Sequence, residues 1–232
     1  MPLRNSAAVQ KLAPGGRTAF MHLEHTMPEG NSSQRRDFVT PRRPFIVGIG
    51  GTLRPSSSSE LVLTLALAET ERLGADIDMI VGRALELPPY DPTRQSAPDG
   101  AARLLELLGR ADGLIVASAA YHGSIPGFLK NAIDYVEDLR EDPSPYLEGR
   151  AVGCIICANG QQALGSALAN MRAIIHTLRG WNTPYAVTIN SRNQLVGSHL
   201  DLVSEDTLQR LRLVASQVVQ FATMRINTTI RL

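Results

Sequence analysis

The stretch Phe45-Ile-Val-Gly-Ile-Gly-Gly-Thr-Leu-Arg-Pro-Ser-Ser-Ser-Ser-Glu60 joins a short apolar run to a loop rich in glycine and serine. Residues 45–49 are typical of a strand buried on both faces of a parallel sheet. Apolar residues recur at helical spacing over residues 58–73, and Gly74 can end that helix. This order of strand, loop and helix predicts the first unit of an α/β sheet.

The same alternation continues along the chain. Further strands are predicted at residues 77–81, 113–118, 152–158 and 185–189. Further helices are predicted at residues 100–110, 127–139, 163–178 and 204–224. Asp99 is expected to cap the helix that follows it, and Gly180 is expected to end the helix before it. Five strands joined by right-handed crossovers make a doubly wound sheet, whose ligands bind beyond the carboxyl ends of the strands.

The composition of the chain changes at about residue 43. Residues 1–43 contain proline, glycine, serine and arginine without sustained periodicity, which predicts a flexible N-terminal arm. Residues 44–225 are predicted to form the folded domain, and residues 226–232 a C-terminal tail. His22 and His25 in the arm have no third ligand at a recognisable spacing, so no metal site is predicted.

The overall composition is that of an ordinary globular protein. Of the 232 residues, 44% are hydrophobic and 19% are charged, and the net charge is +1. This balance gives no indication of a nucleic acid or other polyanionic partner. No apolar run reaches the roughly 18 residues that cross a bilayer, and the N-terminus lacks the apolar core of a secretory signal. A cytoplasmic protein without a membrane partner is therefore expected.

Two cysteines form a C-x-x-C pattern that could indicate a redox dithiol or half of a metal site. Cys154 and Cys157 lie inside an apolar run that predicts a buried strand. Residues three apart on a strand point to opposite faces of the sheet. We therefore expect neither a disulfide nor shared metal ligation.

The loop after the first strand is suited to a phosphate. Its glycines allow close approach of backbone, its hydroxyls and the following helix N-terminus supply donors, and Arg54 supplies a forked cation. The loop has neither the Lys of a P-loop nor the G-x-G-x-x-G of a dinucleotide fold. A single terminal phosphate, as in a mononucleotide, fits it better. The alternative is an ordinary serine-rich turn with an N-cap.

The loops after the third and fourth strands offer surfaces for a flat ring. Tyr121 presents an aromatic face, and Gly123 lets a backbone amide approach a ring edge. His122 is interpreted as a binding residue and not as a catalytic acid. After strand four, Asn159-Gly-Gln161 precedes a helix, although an ordinary Asn-Gly turn would look the same.

Two of these loops resemble the motifs of the NADPH-dependent FMN reductase family. Thr52, Arg54 and Ser57 match the family pattern G-[ST]-x-R-x-x-S-x-N, with Ser59 in place of the asparagine. The stretch from Tyr121 to residue 134 matches P-x-Y-[NH]-x-S-x-[PS]-G-x-L-K-N-A-I-D, while residues 119 and 120 are alanines where the family has other residues. The resemblance covers roughly residues 44–190.

The resemblance implies a flavodoxin-like, doubly wound, five-stranded parallel sheet of strand order 2-1-3-4-5. It also implies bound FMN, with NADPH or NADH as the reductant. Because flavin N5 carries the hydride, no catalytic side chain is expected. Together with the loop chemistry, the resemblance implies that FMN contacts Thr52, Arg54, Ser57, Ser59, Ser118, Ala120, Tyr121, His122, Gly123, Ser124, Asn159, Gly160 and Gln161.

Several functions are compatible with these motifs. The first is an FMN reductase that passes hydride to free flavin, which could supply a partner monooxygenase, and the second is a quinone or azo reductase with tightly bound FMN. The third is a non-enzymatic electron carrier, which the near-neutral charge disfavours. The resemblance implies a homodimer or tetramer, and Lys130, Asn131 and Asp134 are interpreted as a solvated or subunit-facing helix surface. Arg94 is expected to be exposed, while Trp181 could border the pocket or serve the core or an interface.

Overall fold

The structure is a computed structural model that describes residues 42–191 and 203–229. The elements follow one another in chain order. They are β1 (Phe45–Gly51), α1 (Ser58–Arg72), β2 (Asp76–Val81), a 3₁₀ helix (Gly82–Leu85), α2 (Asp99–Arg110), β3 (Gly113–Ala119), α3 (Gly127–Asp134), a second 3₁₀ helix (Tyr135–Leu139), β4 (Ala151–Ala158), α4 (Gln161–Thr177), β5 (Trp181–Asn182), β6 (Val187–Asn190) and α5 (Glu205–Thr229).

The strands form one parallel sheet whose order is β2-β1-β3-β4-β5, as predicted. At the edge of the sheet next to β4, two short strands are present where one strand was predicted. β5 pairs with the beginning of β4 and β6 pairs with its end. The single strand expected at residues 185–189 corresponds to β6, which begins two residues later, while β5 was not predicted. Pro184 lies between the two strands and has no backbone N–H to donate to the ladder, which accounts for the gap.

Helices cover both faces of the sheet, so the core has two layers. One layer contains apolar residues from α2, α3 and α4, and the other contains residues from α1 and α5. Cys154 belongs to the first layer and Cys157 to the second, which confirms that the two thiols point to opposite faces. Both cysteines are free and buried, and burial raises the pKa of each thiol to about 12.

Helix ends agree with the sequence only in part. Gly74 ends α1 in a left-handed conformation, as expected. After α4 the left-handed residue is Arg179, with φ 63°, and not Gly180. Gly180 is required for a different reason, because a Cβ there would lie 2.8 Å from Ile175 Cγ2. Asp99 belongs to the first turn of α2 and makes no capping hydrogen bond, although its charge still favours a helix N-terminus.

The segments at both predicted boundaries of the folded domain contact the rest of the domain. Arg42 and Arg43, expected in the arm, bond to the domain at the N-terminal ends of the strands. At the other end, α5 continues into the expected tail because Ile226 is buried. Residues 1–41, with His22 and His25, lie outside the described residues. Among the residues described, no helix combines the length and apolarity needed to cross a membrane.

Candidate functional site

A polar crevice of about 460 Å³ opens at the C-terminal ends of β1, β3, β4 and β6. This is the edge at which doubly wound sheets bind ligands. A second cavity, of about 20 Å³, is enclosed by apolar side chains in the core and is too small for a cofactor. The residues that line the crevice are Thr52, Arg54, Ser57, Ser58, Ser59, Ala119, Ala120, Tyr121, Cys157, Ala158, Asn159, Gly160, Ala163 and Ser191.

Glycine at the end of β1 lets this strand approach β3 closely. A Cβ on Gly50 would lie 1.8 Å from the carbonyl oxygen of Ala117, and Gly51 has a φ of +83°. A side chain at the first position would collide with backbone, and one at the second would be strained. The glycines therefore fix where the first loop leaves the sheet.

The first loop is ordered by its own hydroxyl groups. Thr52 Oγ1 accepts a hydrogen bond from the amide of Arg54 and donates one to its carbonyl oxygen, at 3.2 Å each. Ser57 caps α1, since its Oγ accepts from the amide of Glu60 at 3.3 Å. Ser59 Oγ lies 3.2 Å from Ser57 Oγ. The loop thus presents preset hydroxyls next to a helix N-terminus.

Positive charge at this edge is not neutralised within the described chain. The side chain of Arg54 is exposed, and no described residue forms a hydrogen bond or ion pair with its guanidinium. In residues 42–191 and 203–229, no carboxylate lines the crevice. The first-turn amides of Ser58 and Ser59 also have no acceptor in that part of the chain. A guanidinium and a helix N-terminus together make a site for an anion.

The second wall is a tight hairpin after β3. The amide of Tyr121 donates to Ser124 O at 2.8 Å, and the amide of Ser124 donates back to Tyr121 O at 3.1 Å. His122 and Gly123 between them have φ values of 51° and 87°, which is the type I′ turn that joins antiparallel strands. The Tyr121 side chain is 54% exposed at the lip of the crevice.

The third wall is the beginning of α4. Gly160 is the N-cap residue of this helix and provides no side-chain cap, so the first-turn amides lack a capping acceptor. Gly160 and Ala163 line the crevice. The N-termini of α1 and α4 therefore border the same space, and each contributes partial positive charge.

The crevice brings together most of the residues proposed from the sequence. Its lining includes Thr52, Arg54, Ser57, Ser59, Ala120, Tyr121, Asn159 and Gly160. The other proposed residues, Ser118, His122, Gly123, Ser124 and Gln161, do not line it. Ser118 is fully buried and its hydroxyl donates to Ala119 O, while His122 and Gly123 form the turn.

Sequence reasoning missed six lining residues. They are Ser58, Ala119, Cys157, Ala158, Ala163 and Ser191. Ser58 belongs to the serine run, and Cys157 and Ala158 end a predicted strand, so their positions could have been found. Ser191 follows β6, whose loop was not singled out, and only the assembled sheet brings it to the crevice.

Helix α3 differs from the expected surface at Asn131. The Asn131 amide group donates to Leu87 O at 3.0 Å and to Pro88 O at 2.9 Å, and its oxygen accepts from the Tyr90 amide at 2.8 Å. This side chain holds the proline-rich loop after β2 on α3. Lys130 and Asp134 do form an ion pair with half-exposed side chains, at 2.5 Å.

Arg94 is less exposed than expected, and Trp181 lies away from the crevice. Arg94 lies between the rings of Tyr90 and Tyr135, 4.5 and 4.6 Å from their centroids, and its side chain is only 17% exposed. It fastens the same proline-rich loop. Trp181 pairs with the beginning of β4, at the end of the sheet opposite the crevice, and is 60% exposed. It therefore belongs neither to the crevice nor to the core.

A doubly wound parallel sheet with an anion-suited crevice at this edge defines a mononucleotide-binding protein of the flavodoxin-like class. The sequence profile of the family described as NADPH-dependent FMN reductase matches residues 44–194. The chain belongs to the NADPH-dependent FMN reductase family. FMN as cofactor and NADPH as reductant follow from this membership, as does assignment to the NAD(P)H-dependent oxidoreductases.

Curated relatives agree with the family. A 2-hydroxy-1,4-benzoquinone reductase of a Burkholderia species is 26% identical over 171 residues, which are 72% of this chain and 88% of the relative. An FMN reductase (NADPH) of Pseudomonas aeruginosa is 39% identical over 94 residues, or 38% of this chain and 48% of that protein. An FMN-dependent NADPH-azoreductase of Staphylococcus aureus is 31% identical over 138 residues, or 58% and 66%.

Solved structures support the fold. An NADH:FMN oxidoreductase in its apo form superposes with a TM-score of 0.59 at 19% identity, covering 76% of this chain and 89% of the other. A flavodoxin of Streptococcus pneumoniae TIGR4 superposes with a TM-score of 0.51 at 16% identity, covering 75% and 98%. At these identities the likeness concerns the fold, and it confirms the flavodoxin-like prediction.

Proposed function

We propose that this protein is an NAD(P)H-dependent FMN reductase whose polar crevice holds FMN. Bound there, FMN would supply the hydride-transfer chemistry that links NADPH to a second acceptor. The crevice volume of about 460 Å³ lies within the usual range for cofactor pockets. Its polar lining and the absence of carboxylates in the described part of that lining suit an anionic mononucleotide.

The observation that carries this proposal is the Arg54 guanidinium, which has no partner within residues 42–191 and 203–229. A phosphate carries about two negative charges near neutral pH, and Arg binds such groups through a planar fork of donors. The amides of Ser58 and Ser59 and the hydroxyls of Thr52, Ser57 and Ser59 border the same part of the crevice. We assign the FMN phosphate to this group of donors.

The beginning of α4 is assigned to the other end of the cofactor. Uncapped amides at Gly160 and in the first turn can stabilise negative charge on a pyrimidine ring. No Asp, Glu, His or Lys lines the crevice in the described ranges, so none of these residues is positioned there as a proton donor. The chain's own contribution is therefore to bind and orient. The cofactor roles of Ser118, His122, Gly123, Ser124 and Gln161 stay predictions.

Titration of the purified protein with FMN tests the proposal. Flavin absorbance and fluorescence give the Kd, and anaerobic addition of NADPH should bleach the bound flavin. Arg54→Ala should weaken FMN binding by about ten- to a hundredfold, because it removes charge-assisted hydrogen bonds. Arg103→Ala removes an exposed guanidinium on α2 that already pairs with Asp78, and it should leave the Kd unchanged. A wild-type protein that binds no FMN, or an Arg54→Ala variant with the wild-type Kd, would refute it.

Free flavin is proposed as the acceptor, with a quinone or azo compound as the second candidate. The names of the relatives support both, since they include an FMN reductase, a benzoquinone reductase and an azoreductase. NADPH oxidation should be measured with excess FMN, with a benzoquinone and with an azo dye. Turnover of the quinone or azo dye without turnover of free FMN would establish the second candidate. FMN-loaded protein that oxidises no NADPH would instead indicate an electron carrier.

A homodimer or tetramer is also proposed. A partly apolar groove of about 350 Å³ between α3 and α4 supports a subunit contact there, with Ile133 and Ile174 in its lining. Light scattering should then give at least twice the 25.1 kDa chain mass, and Ile133→Glu should lower it. A partner monooxygenase and a cytoplasmic location stay predictions, which co-purification and cell fractionation can test.

A further inference from the structure

We propose that Asn170 is a positioning residue that fixes the Tyr121–Ser124 hairpin against α4 and thereby strengthens FMN binding. The inference rests on the proposed function, because it concerns the crevice assigned to FMN. Asn170 does not line that crevice. It lies in the middle of α4 and acts through the hairpin.

A single side-chain hydrogen bond connects the turn to the helix. Asn170 Nδ2 donates to the carbonyl oxygen of Gly123 at 3.0 Å, across 47 positions of sequence. In residues 42–191 and 203–229, this is the one side-chain hydrogen bond to the His122-Gly123 turn. The turn also packs closely on α4, because a Cβ on Gly123 would lie 3.3 Å from Ser166 Oγ.

The hairpin has little intrinsic rigidity of its own. Its two strands exchange only two backbone hydrogen bonds, between Tyr121 and Ser124. His122 has a left-handed backbone, with φ 51°, which is unfavourable for a residue with a Cβ. A two-residue hairpin with a strained central position needs an external anchor to keep one orientation. Asn170 supplies this anchor at the turn, while the amide of Ala120, which donates to Cys157 O at 2.8 Å, fixes the base of the hairpin.

The anchor sets the position of one crevice wall relative to another. The hairpin presents Tyr121 at the lip, and the N-terminus of the same helix contributes Gly160 and Ala163 to the facing wall. Because α4 is a continuous helix from Gln161 to Thr177, Asn170 ties the first wall to the element that forms the second. A ligand that contacts both walls binds more tightly when their separation is set in advance.

FMN titration of three variants tests the role. Asn170→Ala and the isosteric Asn170→Asp should each weaken FMN binding by about three- to tenfold, since both remove the donor. His176→Ala changes another exposed residue of α4 whose side chain makes no hydrogen bond within the described ranges, and it should leave the Kd unchanged. Urea denaturation of the FMN-free variants should match wild type closely, because Asn170 is exposed and its hydrogen bond is to a surface turn.

A double-mutant cycle separates positioning from a general structural effect. Asn170→Ala should have less than about a twofold effect on the Kd in a Tyr121→Ala background, because the hairpin then has no ring to position. Additive effects, or an unchanged Kd for both Asn170 variants, would overturn the proposal. If the wild-type protein binds no FMN, the proposed function fails first and the role of Asn170 falls with it. If the wild-type protein binds FMN and neither substitution of Asn170 changes the Kd, the positioning role of Asn170 is refuted and the proposed function stands.

Discussion

Arg150 and Arg54, which lie at opposite ends of the sheet, differ in their partners. At the N-terminal ends of the strands, Arg42, Arg43 and Arg150 all bond to protein acceptors. At the C-terminal ends, Arg54 has no partner in the described residues, and the amides that begin α1 lack acceptors there too. At the first end, acceptors of the protein itself pair with all three arginines. At the second end these donors have no protein acceptor within residues 42–191 and 203–229, which supports the phosphate site proposed there.

Arg150 is the arginine at the N-terminal ends of the strands with the most hydrogen bonds to the protein. Its guanidinium is buried and donates to four carbonyl oxygens, of Ala111 at 2.8 Å, Tyr146 at 3.0 Å, Gly109 at 3.2 Å and Ser144 at 3.4 Å. Gly109 and Ala111 lie at the end of α2, where carbonyls lack helical partners and a cation is favoured. Burial lowers the pKa of Arg150, while Asp112 and Asp142 oppose that shift.

The largest effect should come from removing Arg150. Arg150→Ala leaves one buried and three part-buried carbonyls without this donor, so the free energy of unfolding should fall by about 3 kcal/mol. Urea denaturation measures this, with Arg54→Ala as the control that should change stability by less than about 0.5 kcal/mol. If Arg54→Ala destabilised the protein as much as Arg150→Ala, the contrast between the two ends would be wrong.

A comparison of FMN with riboflavin tests the phosphate site directly, because riboflavin lacks the phosphate of FMN. Wild-type protein should prefer FMN over riboflavin by about ten- to a hundredfold, through the donors of Arg54 and α1. In Arg54→Ala this preference should shrink to a few-fold, while riboflavin affinity stays the same. Isothermal titration of both ligands with both proteins gives the four constants. Equal loss of FMN and riboflavin affinity would mean that Arg54 does not bind the phosphate.

The two buried thiols of β4 should make stability fall at high pH. Burial raises the pKa of Cys154 and Cys157 to about 12 from an ordinary value of 9.0. The folded state thus keeps its thiols neutral while the unfolded state ionises, and stability present below pH 9 declines between pH 9 and 12. At pH 10 each thiol should cost on the order of 1 kcal/mol.

Denaturation of wild type and of a Cys154→Ala, Cys157→Ala double variant at pH 8 and pH 10 isolates this contribution. Other groups titrate equally in both proteins, so only the difference between the two pH slopes is attributed to the thiols. The double variant should lose less stability over this interval. Identical slopes would show that the thiols are accessible to ionisation in the folded protein.

The smallest effect is expected for Arg42, at the N-terminal ends of the strands but on the surface. Arg42 donates to both carboxylate oxygens of Asp112, at 2.5 and 2.6 Å, yet its side chain is 60% exposed. Arg42→Ala should lower the free energy of unfolding by less than about 1 kcal/mol and leave FMN affinity unchanged. Thermal denaturation and FMN titration check both statements. A large loss of FMN affinity would mean that the two ends are coupled.

Much of the fold was predictable because burial leaves a local pattern. Strands buried on both faces read as apolar runs, and the β1 loop carries its serines and Arg54 in one continuous segment. The gap between β5 and β6 also has a local signal, because Pro184 cannot donate to the ladder. Arg179 could not be predicted as the left-handed residue after α4, because the adjacent Gly180 is the usual choice and packing against Ile175 decided otherwise.

The sequence by itself determined the order of strands and helices, the opposite faces of the two cysteines and the chemistry of the loop at Arg54. Only the tertiary structure decided that Asn131, Arg150 and Asn170 bond to backbone carbonyls about 40 or more positions away. The physical reason is that periodicity and loop composition are local properties of the chain. Every residue has a carbonyl oxygen, so nothing in a sequence marks the particular one that a distant side chain reaches after folding.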